Sequence, residues 1–197
     1  FRSREALKAV TGGLVFVGCS LHAGAHAQTA APSAQTKRRQ VVISGKRVKT
    51  VDVHAHCAVP EAIALQGQKF GGPAIRTDLD VENEQALRIK TMDEQGIDME
   101  ALSINATYYG IKDRDLAAKV IQIQNEALAK AVAKNPDRFV AFASASLQFP
   151  DLAAQQLEDG VKKYGLRGVA IGGNVAGKEI SDASLNPFWA KVEQLGV

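Results

Sequence analysis

The chain has 197 residues, of which 46% are hydrophobic and 23% are charged, and its formal net charge is +3. This balance is typical of a globular protein with one sizeable core, and it excludes a disordered or fibrous chain. No apolar run approaches the roughly 20 residues of a membrane-spanning helix, so we expect no stable insertion into a membrane.

The positive charge is concentrated at the N-terminus. Arg2, Arg4 and Lys8 stand against a single acidic residue within residues 1–27, which leaves one net positive charge for the rest of the chain. A nucleic-acid-binding protein carries its basic residues on the folded body, and we therefore expect no nucleic-acid partner. A second basic run, at residues 37–49, has no aromatic residues and is interpreted as a solvated linker and hairpin edge.

Residues 1–27 have the three parts of an export signal, namely a basic start, a mildly apolar middle and an Ala-x-Ala ending at positions 25–27. The start resembles a twin-arginine signal, although Ser3 interrupts the arginine pair. We therefore predict a signal peptide that is cleaved after Ala27, and a periplasmic protein. An attached amphipathic helix on a cytoplasmic protein is the alternative, and Cys19 gives a partial lipoprotein pattern.

The composition of residues 28–40 predicts a disordered linker between this signal and the body of the chain, residues 41–197. Cys57 is the only cysteine of the body, so no disulfide within the chain can form after cleavage. The fold then rests on its hydrophobic core rather than on covalent cross-links.

The body begins with a β-hairpin and continues as an alternation of strands and helices. The hairpin is predicted from β-branched runs at residues 41–43 and 48–53 on either side of Gly45, and the second run continues through residues 54–56 as the first core strand. A polar loop is then expected to reach about residue 79. Further strands are predicted at 99–104, 139–145 and 166–171, and helices at 80–96, 113–135, 150–164 and 186–196, with Asp80, Asp113 and Asn186 as caps.

Short apolar strands that alternate with amphipathic helices predict an α/β fold, with a parallel sheet and helices outside it. Two architectures fit this order of elements. One is an open, doubly wound sheet, and the other is half of a barrel.

The only histidines of the body, His54 and His56, lie at the end of the first core strand. Because side chains alternate along a strand, both imidazoles are expected on one face. The carboxyl ends of parallel strands are where α/β folds build their sites, and two neutral imidazoles suit a divalent ion, most commonly zinc. Cys57 is expected to point away from the pair, and Asp52 is interpreted as structural. Two incidental histidines are the alternative.

Residues 51–56 (Val-Asp-Val-His-Ala-His) resemble the first-strand His-x-His signature of the amidohydrolase superfamily. TatD-like nucleases share that signature. Later segments are similar, in order, to the amidohydrolase-related branch, which includes the aminocarboxymuconate-semialdehyde decarboxylase-like enzymes. The likeness covers about residues 48–197, and its supporting segments are residues 88–98, 125–139, 165–169 and 186–189.

The resemblance implies the N-terminal half, about four βα units, of a metal-dependent (β/α)8 barrel with one divalent ion, expected to be Zn²⁺, at its carboxyl-terminal rim. His54 and His56 would hold this ion. Two further histidines and an aspartate of the family are expected beyond Val197, so residues 41–197 are predicted to be a truncated barrel, inactive alone. Residues 166–171 lack the lysine of binuclear members, which favours a single ion. We expect the full-length protein to be able to form a homodimer.

These inferences predict an enzyme that decarboxylates or hydrolyses a small carboxylic acid. Arg76 is a candidate for pairing with the substrate carboxylate, and Asn105 and Asn174 are candidates for binding substrate at the rim. A solvated loop arginine and turn-forming asparagines are the alternatives. Arg88 and Trp189 fall on helices and are assigned to packing or the outer surface. A TatD-like nuclease or other metal hydrolase, and a non-catalytic α/β binding fragment, are the alternative functions.

Overall fold

A computed structural model describes residues 15–16, 40–68 and 81–197 of the chain. Its strands are β1 (Val15–Phe16), β2 (Val41–Ile43), β3 (Lys46–Val48), β4 (Val51–Ala58), β5 (Met99–Ile104), β6 (Phe139–Ala141), β7 (Asn174–Val175) and β8 (Lys178–Glu179). Its α-helices are α1 (Pro60–Leu65), α2 (Val81–Gln95), α3 (Arg114–Lys134), α4 (Pro150–Lys162) and α5 (Asn186–Leu195). Short 3₁₀ turns lie at Thr107–Gly110 and Ala183–Leu185.

The central sheet is built from strands that follow one another along the chain. β4, β5 and β6 are parallel neighbours in that order, and β1 lies antiparallel to β4 at the edge. The segment at residues 166–171 continues the sheet beyond β6, because Ala143 pairs in parallel with Val169 and the Arg167 amide donates to the Ala141 carbonyl at 2.9 Å. Within the described ranges, the four parallel segments of the sequence prediction are therefore present.

The hairpin is shorter than predicted. β2 and β3 pair around a two-residue turn in which Gly45 has a φ of 76°, a conformation that such turns require. The predicted strand at residues 48–53 is interrupted at Thr50, whose carbonyl accepts hydrogen bonds from the Asp98 and Met99 amides at 2.9 and 3.2 Å. These bonds separate the hairpin from β4 and attach the start of β4 to the start of β5.

Helix α1 replaces part of the predicted polar loop. It begins at Pro60, whose fixed φ suits the first turn of a helix, and it buries Ala62 completely. The helix has six residues, and such a length is too short to display a helical repeat of apolar residues. The remainder of the loop and the cap predicted at Asp80 lie outside the described residues.

The ends of two helices test the predicted caps. Asp113 caps α3 as predicted, because its carboxylate accepts a hydrogen bond from the Leu116 amide at 2.9 Å. Asn186, the predicted cap of α5, is instead the first residue of that helix. The turn before α5 has its own cap at Asp182, which accepts a hydrogen bond from the Ser184 amide at 2.8 Å and so brings the chain into the helix one residue earlier.

The hydrophobic core includes large side chains from the sheet and from α3, α4 and α5. Leu102 and Phe139 of the sheet and Leu128, Leu157 and Phe188 of these helices are fully buried. Burial of each such side chain stabilises the fold by roughly 1.5–3 kcal/mol. Among the described helices, none combines the length and the apolar composition needed to cross a membrane.

Gly160 marks the closest approach of α4 to the sheet. A Cβ atom at this position would lie 2.8 Å from the Cβ of Ala143. We predict that Gly160→Ala destabilises the fold by about 1–3 kcal/mol through this overlap, although helix propensity alone would make it stabilising by about 1 kcal/mol. Chemical denaturation measures the change, with Gln155→Ala on the exposed face of α4 as the matched control. An increase in stability for Gly160→Ala would show that the predicted packing is wrong.

Candidate metal centre

The two histidines of β4 converge at their outer ring nitrogens. The Nε2 atoms of His54 and His56 lie 2.9 Å apart, and the two rings are perpendicular with their centroids 4.7 Å apart. His54 is exposed and His56 is half-buried. The alternation of side chains along β4 thus brings both imidazoles to one face, as the sequence predicts.

A register shift in the pairing of β4 with β5 determines which other side chains lie on the face of the sheet that carries the histidines. Asp52 lies opposite Glu100 and His56 lies opposite Ser103, with an irregularity between Asp52 and Ala55. Glu100 and Ser103 are three residues apart on β5, so they point to opposite faces of the sheet. Strict alternation would leave Asp52 beside the histidines, and the extra residue of the irregularity moves it to the face of Glu100.

Asp52 nevertheless shapes the site through the backbone. One of its carboxylate oxygens accepts a hydrogen bond from the amide of His54 at 2.9 Å. This short-range bond fixes the chain at the irregularity, where ladder hydrogen bonds are disrupted. Its role is therefore structural, in agreement with the sequence interpretation.

The electrostatic environment of His56 favours its neutral imidazole. Burial lowers the pKa of His56, and the neighbouring His54 lowers it further, while a hydrogen bond to the Ser103 backbone acts in the opposite direction. Neutral imidazole is the form that binds metal ions. The geometry also fits, because two nitrogens that each lie 2.0–2.1 Å from one zinc ion are at most about 4.2 Å apart.

The described residues supply these two nitrogens and no larger set. Within residues 40–68 and 85–197, no group of three or more His, Cys, Asp or Glu side chains is arranged to hold a metal ion. Cys57 is fully buried, its thiol donates to the Ser103 carbonyl at 3.4 Å, and burial raises the pKa of that thiol. It is therefore a packed thiol rather than a ligand.

The face opposite the histidines contains a buried ion pair that links β5 to α2. The Nε of Arg88 donates to both carboxylate oxygens of Glu100, at 3.0 and 2.7 Å, and the Glu100 side chain is 3% exposed. Arg88 is therefore not an outer-surface residue, and its packing role is electrostatic. This pairing was not predictable from local sequence patterns, because the two residues lie on different elements.

The substrate candidates lie at the rim or outside the described residues. Asn105 is exposed directly after β5, and Asn174 is exposed at the start of β7. Asn174 accepts a hydrogen bond from the Gly177 amide at 3.2 Å within the turn between β7 and β8. These two strands form a small hairpin that was not predicted. Arg76 lies outside the described residues.

Two loops of the rim are joined by Tyr109, a residue that no sequence motif marks. The hydroxyl of Tyr109, in the turn after β5, accepts a hydrogen bond from the Gly172 amide at 3.3 Å. Burial raises the pKa of this phenol, so the hydroxyl stays protonated. The loop that follows residues 166–171 is thereby held against the loop that follows β5.

Buried amide side chains fix the segment after β6. Asn125 of α3 accepts from the Ser144 amide at 2.8 Å and donates to the Ser144 carbonyl at 3.1 Å. Gln156 of α4 accepts from both the amide and the hydroxyl of Ser146, at 2.9 and 2.7 Å. Because side chains occupy the backbone groups of Ser144, the last pairing with a neighbouring strand is that of Ala143, and the predicted strand at residues 139–145 does not reach its last two residues.

A model of the amidohydrolase family matches residues 51–197. This chain belongs to the amidohydrolase family. The gamma-resorcylate decarboxylase of Rhodococcus jostii is 37% identical over 123 residues, which cover 57% of this chain and 37% of that relative. The 2-amino-3-carboxymuconate-6-semialdehyde decarboxylase of Dictyostelium discoideum is 29% identical over 149 residues, which cover 74% and 40% of the two chains.

A solved structure shows the same fold. The dihydroxybenzoic acid decarboxylase of Polaromonas sp. JS666, with bound manganese and the inhibitor 2-nitroresorcinol, matches with a TM-score of 0.62 and 31% identity. The match covers 76% of this chain and 47% of that chain. The chain therefore spans less than half the length of these relatives. The predicted family and the predicted fold class, about half of a (β/α)8 barrel, are confirmed.

The Arg88–Glu100 pair generates a stability prediction. Arg88→Met should destabilise the fold by about 3–5 kcal/mol, because it leaves a buried carboxylate without its partner. Chemical denaturation at neutral pH measures this loss. Arg88→Met combined with Glu100→Gln is the matched control and should recover most of it. A loss below about 1 kcal/mol, typical of an exposed pair, would contradict the buried pairing.

The Arg88–Glu100 pair also determines how the stability of the fold changes with pH. Burial raises the pKa of Glu100 above its ordinary 4.5, and Arg88 opposes that rise. A carboxyl with a raised pKa in the folded state contributes stability that is fully present below pH 4.5 and is lost as the pH rises through the folded value. The free energy of unfolding of Arg88→Met should therefore fall further below that of the double-variant control as the pH is raised from 4.5.

Proposed function

We propose that the protein is a divalent-metal-dependent carboxy-lyase that decarboxylates a hydroxylated aromatic acid or a similar small carboxylate. The observation that carries this proposal is the 2.9 Å approach of the His54 and His56 Nε2 atoms, at the carboxyl end of the first core strand of an amidohydrolase-family chain. In (β/α)8 enzymes this end of the strands carries the active site.

Decarboxylation is favoured over the other reactions expected from the sequence. The two curated relatives described above are both named as decarboxylases. The inhibitor held by the Polaromonas enzyme, 2-nitroresorcinol, is a hydroxylated aromatic ring. A hydrolase and a TatD-like nuclease share the His-x-His signature, but no relative described above has either name.

The reaction is redox-neutral. The bond between the carboxylate group and the substrate carbon that carries it breaks, and CO₂ leaves. The substrate carbon then takes up a proton. A divalent ion, when bound, would supply a Lewis acid able to polarise a substrate oxygen. His54 and His56 provide neutral nitrogens to hold the ion, and the Asp52 hydrogen bond fixes the backbone that carries His54. Neither histidine is assigned the proton transfer, because both are used as ligands.

The identity of the ion is a choice between two metals. Imidazole ligands are typical of zinc, which the sequence analysis expects. Manganese is the ion bound in the Polaromonas enzyme. We propose one divalent ion per chain, with Zn²⁺ as the first candidate and Mn²⁺ as the second, to be distinguished by elemental analysis of the purified protein.

The histidine pair provides the direct test. In the full-length protein, the His54→Ala/His56→Ala double substitution should lower metal content and CO₂ release from 2,6-dihydroxybenzoate by at least about a hundredfold. Removal of metal-supporting partners alone costs about 10–100-fold. Val53→Ala changes an exposed residue of the same strand and is the matched control. Equal metal content in the unaltered and double-variant proteins would refute the metal site. Bound metal without CO₂ release, together with ester or nucleic-acid hydrolysis, would refute the decarboxylase assignment.

Arg76, Asn105 and Asn174 remain proposed substrate contacts. A residue that pairs with the substrate carboxylate should, when replaced, raise KM by about tenfold, as expected for the loss of a charge-assisted hydrogen bond. Steady-state kinetics of Arg76→Met, Asn105→Ala and Asn174→Ala measure this, with Arg76→Lys as the charge-preserving control. An unchanged KM in any variant removes that residue from the set.

Export of the protein to the periplasm is also a proposal, supported by the composition of residues 1–27. Cell fractionation with and without these residues tests it. A protein that stays in the cytoplasm in both cases would favour the alternative of an attached N-terminal helix.

A further inference from the structure

Ser103 stands out as a polar residue on the inner face of an otherwise apolar strand end. It belongs to β5, lies directly opposite His56 in the parallel pairing, and is 7% exposed. Its neighbours Leu102 and Ile104 are buried on the other face. A buried hydroxyl is costly without a hydrogen-bond partner, so its contact with His56 is what makes serine acceptable at this position.

The contact joins Ser103 to the ring nitrogen that faces away from His54. Ser103 Oγ lies 3.1 Å from His56 Nδ1, while His56 Nε2 lies 2.9 Å from His54 Nε2. A neutral imidazole has one N–H, so a ring that presents a bare Nε2 to an ion carries its proton on Nδ1. The Ser103 hydroxyl oxygen lies within reach to accept a hydrogen bond from that nitrogen.

We propose that Ser103 is a positioning residue, which holds the proton of His56 on Nδ1 so that the bare Nε2 faces the position shared with His54. This inference rests on the proposed metal-dependent function, and it adds a residue that orients a ligand without touching the ion. The bond from Nδ1 also fixes the rotation of the ring about its connection to the strand.

The arrangement makes the two histidines inequivalent before an ion is bound. If the Nε2 of His56 carries no proton, a hydrogen bond across the 2.9 Å gap requires the proton of His54 on its own Nε2. For His54 to become a ligand, its Nε2 loses this proton and its Nδ1 gains one through solvent. No proton is released overall when both rings are neutral. His56 keeps the same tautomer throughout.

The test uses the full chain with ¹⁵N-labelled histidine. Nitrogen NMR of the metal-free protein should show the proton on Nδ1 of His56 and on Nε2 of His54, and added Zn²⁺ should change only the His54 tautomer. Single histidine variants assign the signals. A proton on Nε2 of His56 in the metal-free protein would overturn the proposal without any change at Ser103.

Substitutions separate positioning from simple packing. Ser103→Ala should weaken Zn²⁺ binding by about tenfold, in the range for loss of a partner that orients a ligand. It should also give a mixture of the two His56 tautomers. Ser103→Thr retains the hydroxyl and should restore both the Zn²⁺ affinity and the single tautomer. Ser146→Ala removes another buried serine hydroxyl and should lower stability while leaving both readouts unchanged. Unchanged affinity and tautomer in Ser103→Ala would refute the role of Ser103. Absence of Zn²⁺ binding in the unaltered protein, with the expected tautomers, would instead refute the proposed function.

Discussion

The parallel pairing of β4 with β5, with its one irregularity after Asp52, is the constraint on which the candidate site depends. It sets His56 opposite Ser103 on one face and Asp52 opposite Glu100 on the other. Two chemically different environments, one with a pair of imidazoles and one with a buried ion pair, therefore share a single pair of strands. A regular strand would have placed a carboxylate beside the histidines and raised their affinity for protons.

The supports of the site come from neighbouring elements as well as from the strand that carries the histidines. Arg88 on α2 neutralises the carboxylate of β5, and Asn125 and Gln156 on the next two helices hold the segment that follows β6. Each is a polar side chain whose partner is buried, so each has a large cost if it is removed alone. The helices thus determine where the strand ends lie, in addition to covering the core.

Much of this arrangement was predictable because it is local. Alternation along one strand places His54 with His56, and the Asp113 cap marks where α3 begins. The features that were missed depend on contacts between distant segments. The break at Thr50 results from hydrogen bonds with amides at the start of β5, almost 50 residues away. Ser103 contacts His56 only because β5 lies beside β4. A polar residue on the inner face of an apolar strand was the available signal for Ser103.

The hydrogen bond between Tyr109 and Gly172 joins loops that are 63 positions apart in the chain. A side chain at position 172 would begin only 3.2 Å from the phenol ring. The two positions are therefore expected to covary among homologues, since a bulkier residue at one demands a smaller ring at the other.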